Sequence, residues 1–534
     1  MPDKDIMFAD VTVESEMVSA LEDTKKTRWK VPVWKVLGYG AISIVIFLGL
    51  ALLLNILVFK NPNTDLFAHV KNTDKSIAVL PFKSLSSEVE NQYFAEGVTR
   101  SILYNLIQIS EIKVINSLVG ELGGNTLNLN AMAGKLNVRF FLSGSVQKSG
   151  EQILVMAQLT DITKNQIIWS EKYPRKLADI FLIQSDIAKQ VATNLQSVIA
   201  KKEKYQIEKM PTKNMEAHAW YVMGRYLMDR RSYREVEISK YITPFKNAIA
   251  ADPEYAEAYV GLADVYLTFT KTNSYPRPEG DIRAKENVLK ALELNSNLAE
   301  AHTTLGVILY RSEMKWEDAR KELEHAIELN PNYGQAHRYY AELMEILRQR
   351  ELAKLHCFKA AELDPISPYL ILLKGRFLEN DGKFEEAIKE YKKFIEMYPE
   401  NPSGYWYLWD FYLKTGEELK ALESLQRVLQ FYPDDKPYVD TIKVIYDKHG
   451  MKELEKWLNE YNIKYDDRES WKAIVLYYNK IGEKEKALEW LEKTFKWQDQ
   501  YLPDMNSWSE LDNLRSEPRF QALLDKMGLT AYQK

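Results

Sequence analysis

The chain has 534 residues, of which 46% are hydrophobic and 28% are charged, with a formal net charge of -5. This composition is typical of a globular protein and excludes a collagen-like or wholly disordered chain. The near balance of 71 basic and 76 acidic residues argues against a surface built to bind nucleic acid. The single cysteine, Cys357, excludes an intramolecular disulfide and a multi-cysteine metal site.

An uncharged run of 24 residues lies between Lys35 and Lys60. A helix of that length, rising about 1.5 Å per residue, is long enough to cross a hydrocarbon core of about 30 Å. Basic residues are concentrated on its N-terminal side, which by the positive-inside rule predicts a cytoplasmic N-terminus. We therefore expect a short cytoplasmic tail at 1–33, a transmembrane helix at 34–59 and a linker at 60–74. The predicted location is the bacterial inner (cytoplasmic) membrane, as a single-pass protein with extracytoplasmic (periplasmic) C-terminal domains.

Residues 75–200 alternate between strand-like and helix-like patterns. The run SIAVLPF is short, apolar and ended by Pro81, as in a buried strand, and Asn91 to Ile109 has apolar residues at the helical period. Three later runs, VRFFLSGSVQ, EQILVMAQLTD and NQIIWSEKY, are separated by short polar turns. Their lengths and alternation predict a three-stranded antiparallel meander.

Six segments of this region resemble, in order and spacing, the TolB-like N-terminal-type domains: IAVLPF, YFAEGVT, VRFFLSGSV, AQLTD, IIWSEKY and DIFLIQSDIA. The resemblance implies an α/β fold over residues 75–200. In that family such domains commonly stand between a transmembrane helix and tetratricopeptide repeats, with a cyclase, kinase or DNA-binding domain on the cytoplasmic side. This chain departs from the pattern because no such effector is recognisable in its first 33 residues, which are too few for a domain core.

A 34-residue repeat dominates the rest of the chain. A small residue, an alanine 12 positions on, a packing residue 19 on and a proline 24 on are the signature of tetratricopeptide repeats, and they recur at Ala341, Ala353, Ala360, Pro365 and at Gly375, Ala387, Phe394, Pro399. We expect an array of about eight helix pairs at 214–500, stacked into a superhelix, and a capping segment at 501–534. The predicted fold class is an α/β TolB-like domain followed by an all-α tetratricopeptide superhelix, with one N-terminal transmembrane helix.

Motifs that would indicate catalysis are absent from the sequence. It contains no GxxxxGK[ST] phosphate loop, no HExxH and no GxSxG, and its seven histidines are scattered. Cys357 lies on the packing stripe of a helix, where a structural role is the ordinary one. We therefore expect a protein that is not an enzyme, with no catalytic residue, no metal and no cofactor.

The first helix of each repeat lines the concave face of such a superhelix, so binding residues are expected there. Arginines offer bidentate donors for carboxylates, and aromatic side chains can anchor an apolar group of a partner. A generic solvated surface is the alternative interpretation. The candidates for a partner-binding groove are Tyr221, Arg225, Arg311, Arg338, Arg376 and Trp406.

The leading functional hypothesis is a membrane-anchored extracytoplasmic scaffold that binds a peptide or protein in the repeat groove. The alternative is the sensor or receptor half of a signalling system, which recruits a separate cytoplasmic effector through its N-terminal tail. A third possibility is an enzyme with an unrecognised site in residues 75–200. All three hypotheses exclude nucleic acid as the partner.

Overall fold

The computed structural model describes residues 75–86, 89–116, 129–231, 237–271, 274–432, 437–464 and 471–532. The predicted tail, transmembrane helix and linker, at 1–33, 34–59 and 60–74, lie outside these residues. The described part of the chain forms an α/β domain, a helical repeat array and a C-terminal segment.

The membrane prediction needs correction. Among the described residues, no helix is both long and apolar enough to cross a bilayer. An apolar run in a sequence indicates hydrophobicity, whereas a transmembrane segment also requires a continuous helix that satisfies its own backbone hydrogen bonds. The predicted fold class is therefore wrong in its transmembrane helix, and the predicted localisation as a single-pass inner-membrane protein is not supported.

The α/β domain is built on a six-stranded mixed sheet with the order β3-β1-β4-β5-β6, in which β2 pairs with β4. Strand β1 is parallel to both β3 and β4, whereas β4, β5 and β6 are antiparallel. The elements are β1 Ser76–Val79, β2 Lys83–Ser84, α1 Val89–Ile107, β3 Lys113–Val114, α2 Leu129–Leu136, β4 Phe140–Ser149, β5 Gln152–Asp161, β6 Gln166–Lys176, α3 Ile180–Asn194 and α4 Lys201–Glu208.

The meander predicted from the sequence is confirmed by the pairing of β4, β5 and β6. Alternate residues of β5, from Ile153 to Leu159, are buried, because successive side chains of a strand point to opposite faces. They pack against apolar residues of α1 and α3, including Ile102 and Ile187, in one core.

The repeat array consists of helical hairpins, each with a first helix A and a second helix B. The A helices are α5 Met215–Asp229, α7 Ala256–Lys271, α9 Ala299–Arg311, α11 Gly334–Ile346, α13 Pro368–Asn380, α15 Ser403–Lys414, α17 Tyr438–His449 and α19 Trp471–Lys480. The B helices are α6 Ser239–Ala251, α8 Arg277–Leu294, α10 Trp316–Leu329, α12 Arg350–Leu363, α14 Phe384–Met397, α16 Glu418–Gln430, α18 Met451–Lys464 and α20 Lys484–Lys496. We number these hairpins as repeats 1 to 8.

Small residues on the A helices allow the close approach of helix B. A Cβ atom added at Gly375 would lie 2.4 Å from the ring of Tyr391, and one at Gly306 would lie 2.7 Å from Leu323. Any side chain there would overlap the neighbouring helix. The A helices of successive repeats also approach each other more closely than the B helices do, which places the A helices on the concave side.

The array has two rims, which we define by its turns. The first rim is formed by the turns from each B helix to the next A helix, and the α/β domain packs against it. Asn332 Nδ2 donates to the carbonyls of Ile109 and Ile112 at 3.0 and 3.1 Å, and the amide of Gly334 donates to Asn116 Oδ1 at 2.7 Å. The α/β domain is thus held directly on repeat 4 by buried hydrogen bonds.

The second rim is formed by the turns from helix A to helix B, and the C-terminal segment, residues 497–532, packs against it. This segment contains three 3-10 turns, at Leu502–Ser507, Ser509–Leu514 and Thr530–Tyr532, and helix α21 at Pro518–Lys526. It contacts repeat 8, where Trp508 stacks on Trp471 with ring centres 5.5 Å apart. It also returns to repeats 3 and 4, where Trp316 Nε1 donates to the carbonyl of Met527 at 2.8 Å.

Candidate protein-binding groove

The concave face of repeats 1 to 6 carries all six residues that the sequence singled out. They lie on the A helices α5, α9, α11, α13 and α15. The structure divides them into three groups: a pair in repeat 1, three arginines in repeats 3 to 5, and a tryptophan in repeat 6.

Tyr221 and Arg225 form the first group with residues of the next two repeats. Arg225 donates from Nε to the Tyr221 hydroxyl at 3.2 Å and from Nη1 to Asp264 Oδ2 at 2.8 Å. Asp264 also accepts a hydrogen bond from the Thr304 hydroxyl at 3.0 Å. The Tyr221 ring packs against Tyr255 at 5.1 Å. This group therefore ties repeats 1, 2 and 3 together.

The second group is organised around a buried carboxylate, that of Glu342 on α11. Its Oε2 accepts from Arg311 Nη2 at 3.1 Å and from the Tyr310 hydroxyl at 3.0 Å, and its Oε1 accepts from Arg338 Nε at 3.2 Å. Arg311 also donates to Asp504 Oδ1 of the C-terminal segment at 2.7 Å. Arg311 and Arg338 are thus brought together through a shared carboxylate.

The protonation state of this group follows from its charges. Burial opposes ionisation of Glu342, but Arg338 and Arg311 outweigh it and lower the pKa of Glu342 to about 2. Glu342 is therefore a carboxylate at neutral pH, and it fixes the two guanidinium groups by charge-assisted hydrogen bonds.

Arg376 on α13 is also paired within the chain. Its Nη2 donates to both carboxylate oxygens of Glu345, at 2.7 and 2.6 Å. Burial raises the pKa of Glu345, while Arg376 opposes this shift. Each of the four candidate arginines therefore has an internal carboxylate partner, and a ligand would have to share or replace these contacts.

Two aromatic side chains remain exposed on the groove, Tyr369 on α13 and Trp406 on α15. Tyr369 is 38% exposed and Trp406 is 43% exposed. The guanidinium of Arg338 lies over the Tyr369 ring, 4.3 Å from its centre. Trp406 is thus accessible as an anchor, and Tyr369 presents a ring already held in place by Arg338.

Two histidines and the single cysteine, which could suggest a catalytic or metal site, are buried in repeat 4. His337 Nδ1 lies 2.9 Å from His356 Nδ1, and His337 Nε2 lies 3.0 Å from the carbonyl of Pro331. Burial lowers the pKa of His337 to about 3 and that of His356 to about 4, so both rings are neutral at physiological pH. Cys357 is buried, and burial raises its pKa. Within the described ranges, no group of three or more His, Cys, Asp or Glu residues is arranged to hold a metal ion.

Two residues of the groove were missed from the sequence. Tyr369 is the second residue of α13 and follows Gln335 of α11 by one 34-residue period, so a stricter use of the repeat register would have found it. Asp504 could not have been found in this way. It lies outside the repeats, and only the return of the C-terminal segment brings it to Arg311.

Comparison with known families covers two parts of the chain. Residues 73–190 match the second domain of HilA/YgeH-like transcriptional regulators, and residues 372–436 match the tetratricopeptide repeat. Together with the helical hairpins, the second match identifies tetratricopeptide repeats in this protein. The first match concerns a domain of transcriptional regulators, and the sheet beneath it is mixed, so the TolB-like assignment in the predicted fold class is not supported.

Curated relatives are similar over part of their length. "Putative adenylate cyclase 3" of Rhizobium meliloti is 28% identical over 255 residues, which are 47% of this chain and 42% of that protein. The transcriptional regulator HilA of Salmonella paratyphi A is 20% identical over 380 residues, or 70% of this chain and 60% of HilA. The chain thus spans less than two thirds of the length of these relatives.

Solved structures of repeat proteins are also similar to part of this chain. PilF of Pseudomonas aeruginosa is 19% identical with a TM-score of 0.33, covering 43% of this chain and 97% of PilF. YrrB, described as a TPR protein with an unusual peptide-binding site, is 25% identical with a TM-score of 0.27, covering 36% of this chain and 93% of YrrB. The family match over residues 372–436 and the helical hairpins establish tetratricopeptide repeats in this protein.

Proposed function

We propose that this protein acts by binding rather than by catalysis, and that it holds a peptide or protein segment on the concave face of repeats 4 to 6. The observation that carries the proposal is the pair of exposed aromatic side chains, Tyr369 and Trp406, on the face that such repeats present to partners. Aromatic residues with arginine beside them are the residue types that contribute most to protein interfaces.

The contacts of the two rims support this location within the array. The α/β domain packs against repeat 4 through Asn332. The C-terminal segment packs against repeat 3 through Trp316 and Arg311, and against repeat 4 through Asn506, which donates to the carbonyl of Ile346. The arginines of repeats 1 and 3 are engaged by internal partners. Repeats 5 and 6 carry the exposed part of the groove, so we place the main anchor at Trp406 and assign the arginines to orienting the face.

Site-specific photocrosslinking in the native host tests the proposal. A photoreactive phenylalanine analogue is placed in the full chain at Trp406 and, as the matched control, at Leu419, which is 70% exposed on the B helix of the same repeat. We expect a discrete adduct from position 406 and none from position 419. Equal labelling at both positions, or no adduct at 406, would contradict the proposal.

The captured segment then provides a quantitative test. We expect a synthetic peptide of that segment to bind the purified chain, and Trp406→Ala to weaken binding by about tenfold or more, or about 1.4 kcal/mol. Leu419→Ala serves as the control and should leave the dissociation constant unchanged. A peptide that binds both variants equally would place the contact elsewhere on the chain.

A further inference from the structure

The fourth residue of helix A is a histidine in both repeat 3 and repeat 4, His302 and His337. In each case Nε2 lies 3.0 Å from a backbone carbonyl six residues earlier in the chain, that of Ser296 or of Pro331. Because a carbonyl oxygen only accepts hydrogen bonds, each Nε2 carries a proton and donates it. Each histidine thus holds the first-rim turn that leads into its own helix.

Repeat 2 has the same contact without a histidine. Tyr259 is the fourth residue of α7, and its hydroxyl donates to the carbonyl of Pro253 at 3.2 Å, again six residues earlier. Three successive repeats therefore use one position of helix A to fix the preceding turn. We call this contact the turn latch, and it is formed by Tyr259, His302 and His337.

The two histidine latches differ in the partner of the other ring nitrogen. This partner is the seventh residue of helix B, which is Glu322 in repeat 3 and His356 in repeat 4. His302 Nδ1 lies 2.6 Å from Glu322 Oε2, whereas His337 Nδ1 lies 2.9 Å from His356 Nδ1. Equivalent positions of the repeat thus place a carboxylate against one histidine and a second imidazole against the other.

His302 has an acceptor at each ring nitrogen, which is the arrangement of a protonated imidazolium. The shared proton belongs to the imidazole, because a carboxylate is the weaker base. Burial alone would lower the pKa of His302, but the hydrogen bonds to Glu322 and to the Ser296 carbonyl, with the charge of Glu322, outweigh burial and raise it. His325 of α10 also packs against this ring, with ring centres 4.6 Å apart, and its own Nδ1 lies 3.5 Å from Glu328.

His337 is the neutral counterpart of His302. Its Nε2 donates to Pro331, so its Nδ1 is unprotonated and accepts from His356 Nδ1. Burial lowers the pKa of His337 to about 3 and that of His356 to about 4. The latch of repeat 4 therefore keeps one charge state near neutral pH and is an internal control for the latch of repeat 3.

We propose that His302 and Glu322 form a pH-sensitive latch, which fixes the turn between repeats 2 and 3 while His302 is protonated and loosens it when His302 loses its proton. A neutral imidazole keeps a single N–H group, so either Glu322 or the Ser296 carbonyl would then face a ring lone pair. The His302 side chain is 13% exposed, which allows the proton to pass to solvent. Because the folded-state pKa is raised, the latch stabilises the turn at low pH and this contribution is lost as the pH rises.

The turn held by this latch lies where the α/β domain meets the array. Glu300, two residues before His302 on α9, interacts with Tyr104 of α1. Loosening of the turn at high pH should therefore weaken the contact of the α/β domain with repeat 3, while the contact through Asn332 of repeat 4 is kept. The latch lies outside the groove of repeats 4 to 6, so it is independent of the proposed function.

Nuclear magnetic resonance of the full chain tests the charge state. The histidines carry a 13C label at Cε1, and the His302 signal is identified by its loss in His302→Gln. We expect its titration midpoint to lie above about 6.5, the ordinary value for histidine, and to move to lower pH in Glu322→Gln. Glu328→Gln is the matched control, because Glu328 is an exposed carboxylate on the same helix, and it should leave the midpoint unchanged. A wild-type midpoint at or below about 6.5, or one that Glu322→Gln does not move, would overturn the proposal.

Hydrogen exchange tests the loosening of the turn, and it can be measured on the wild-type chain alone. Between about pH 6 and about pH 9, the protection factors of residues 297–302, corrected for intrinsic exchange, should fall by about tenfold, as for the loss of one charge-assisted hydrogen bond. The equivalent residues 332–337 of repeat 4 should change by less than about twofold, because their latch keeps its charge state. Glu322→Gln should abolish the pH dependence, since an amide can donate to a neutral imidazole. Equal losses at both turns, or no loss at 297–302, would contradict the latch.

Discussion

Repeats 3 and 4 and repeats 5 and 6 share one hairpin architecture but differ in what their A helices contact. In repeats 3 and 4, Arg311 and Arg338 meet at the buried Glu342, and both rims are covered, one by the α/β domain and the other by the C-terminal segment. In repeats 5 and 6, Arg376 is also paired, with Glu345, but the A helices present the exposed rings of Tyr369 and Trp406.

One repeat motif can therefore serve two purposes within a chain. Where the polar side chains of the A helices find internal partners, the repeat becomes part of the scaffold, and its substitution should affect stability. Where large aromatic side chains remain exposed, their substitution should affect binding and leave stability unchanged. Five substitutions test this division, beginning with the pair for which the expected difference in stability is largest.

Trp316→Ala and Trp406→Ala contrast the two regions most sharply. Trp316 is 5% exposed and donates to the carbonyl of Met527, whereas Trp406 is 43% exposed. We expect Trp316→Ala to lower the free energy of unfolding by about 3–5 kcal/mol through cavity formation and loss of the C-terminal contact. Trp406→Ala should change it by no more than about 0.5 kcal/mol. Urea unfolding followed by circular dichroism measures both, and similar losses would refute the division.

Glu342→Gln tests the ionic centre of repeats 3 and 4. Because the folded-state pKa of Glu342 is lowered from 4.5 to about 2, its ionisation stabilises the protein above pH 4.5, and this contribution is lost as the pH falls toward 2. We expect a loss of about 3 kcal/mol at pH 7 that diminishes at low pH. The comparison is the unfolding free energy of both proteins across this pH range, with the exposed Glu351→Gln as control. A loss independent of pH would show that the charge is not responsible.

Asn332→Ala tests the attachment of the α/β domain. Asn332 is buried and donates to two backbone carbonyls of that domain, at Ile109 and Ile112. We expect a loss of about 1–3 kcal/mol, because the two carbonyls keep their burial without a donor. Hydrogen exchange should increase in residues 109–116. The exposed Asn297→Ala is the control, and unchanged exchange in Asn332→Ala would indicate that other contacts hold the domain.

Lys135→Ala tests a surface contact between the same two parts. Lys135 Nζ lies 3.2 Å from Glu396 of repeat 5, and both side chains are largely exposed. We expect a loss below about 0.5 kcal/mol that disappears at high salt, because solvent screens such pairs. Thermal unfolding at low and high ionic strength measures it. A larger, salt-independent loss would mean that this contact contributes through packing rather than through charge.

Local patterns predicted most of the elements correctly. The alternation in residues 153–159 predicted the central strand of the meander, because a strand with one buried face must alternate. The 34-residue spacing of small residues predicted the hairpins of repeats 4 and 5, because helix B leaves no room for a side chain at Gly375 and because Ala341 is fully buried. The transmembrane helix of the predicted fold class is overturned by the absence, among the described residues, of a helix long and apolar enough to cross a bilayer.

The groove was predicted only in part. Its candidate positions were taken from the repeat register, and Arg338 and Trp406 lie on the A helices α11 and α15. The sequence did not show which of these side chains are paired and which are exposed, because a partner can lie far away in the chain. Arg311, for example, donates to Asp504, which is 193 residues away in the sequence. Residues 73–190 match a domain of transcriptional regulators, and the TolB-like assignment, which rested on six short segments, is not shown by this match.

The periodic features of this protein follow from its sequence alone: the strands of the sheet, the helical hairpins and the face on which the A helices lie. They depend on contacts within about 34 residues, where spacing decides which side chains are neighbours. The packed structure was needed to establish which arginines are neutralised, which aromatic rings remain exposed, and that the C-terminal segment returns to repeats 3 and 4. Such contacts join residues far apart in the chain, and burial and charge pairing depend on the whole packed surface rather than on any local pattern.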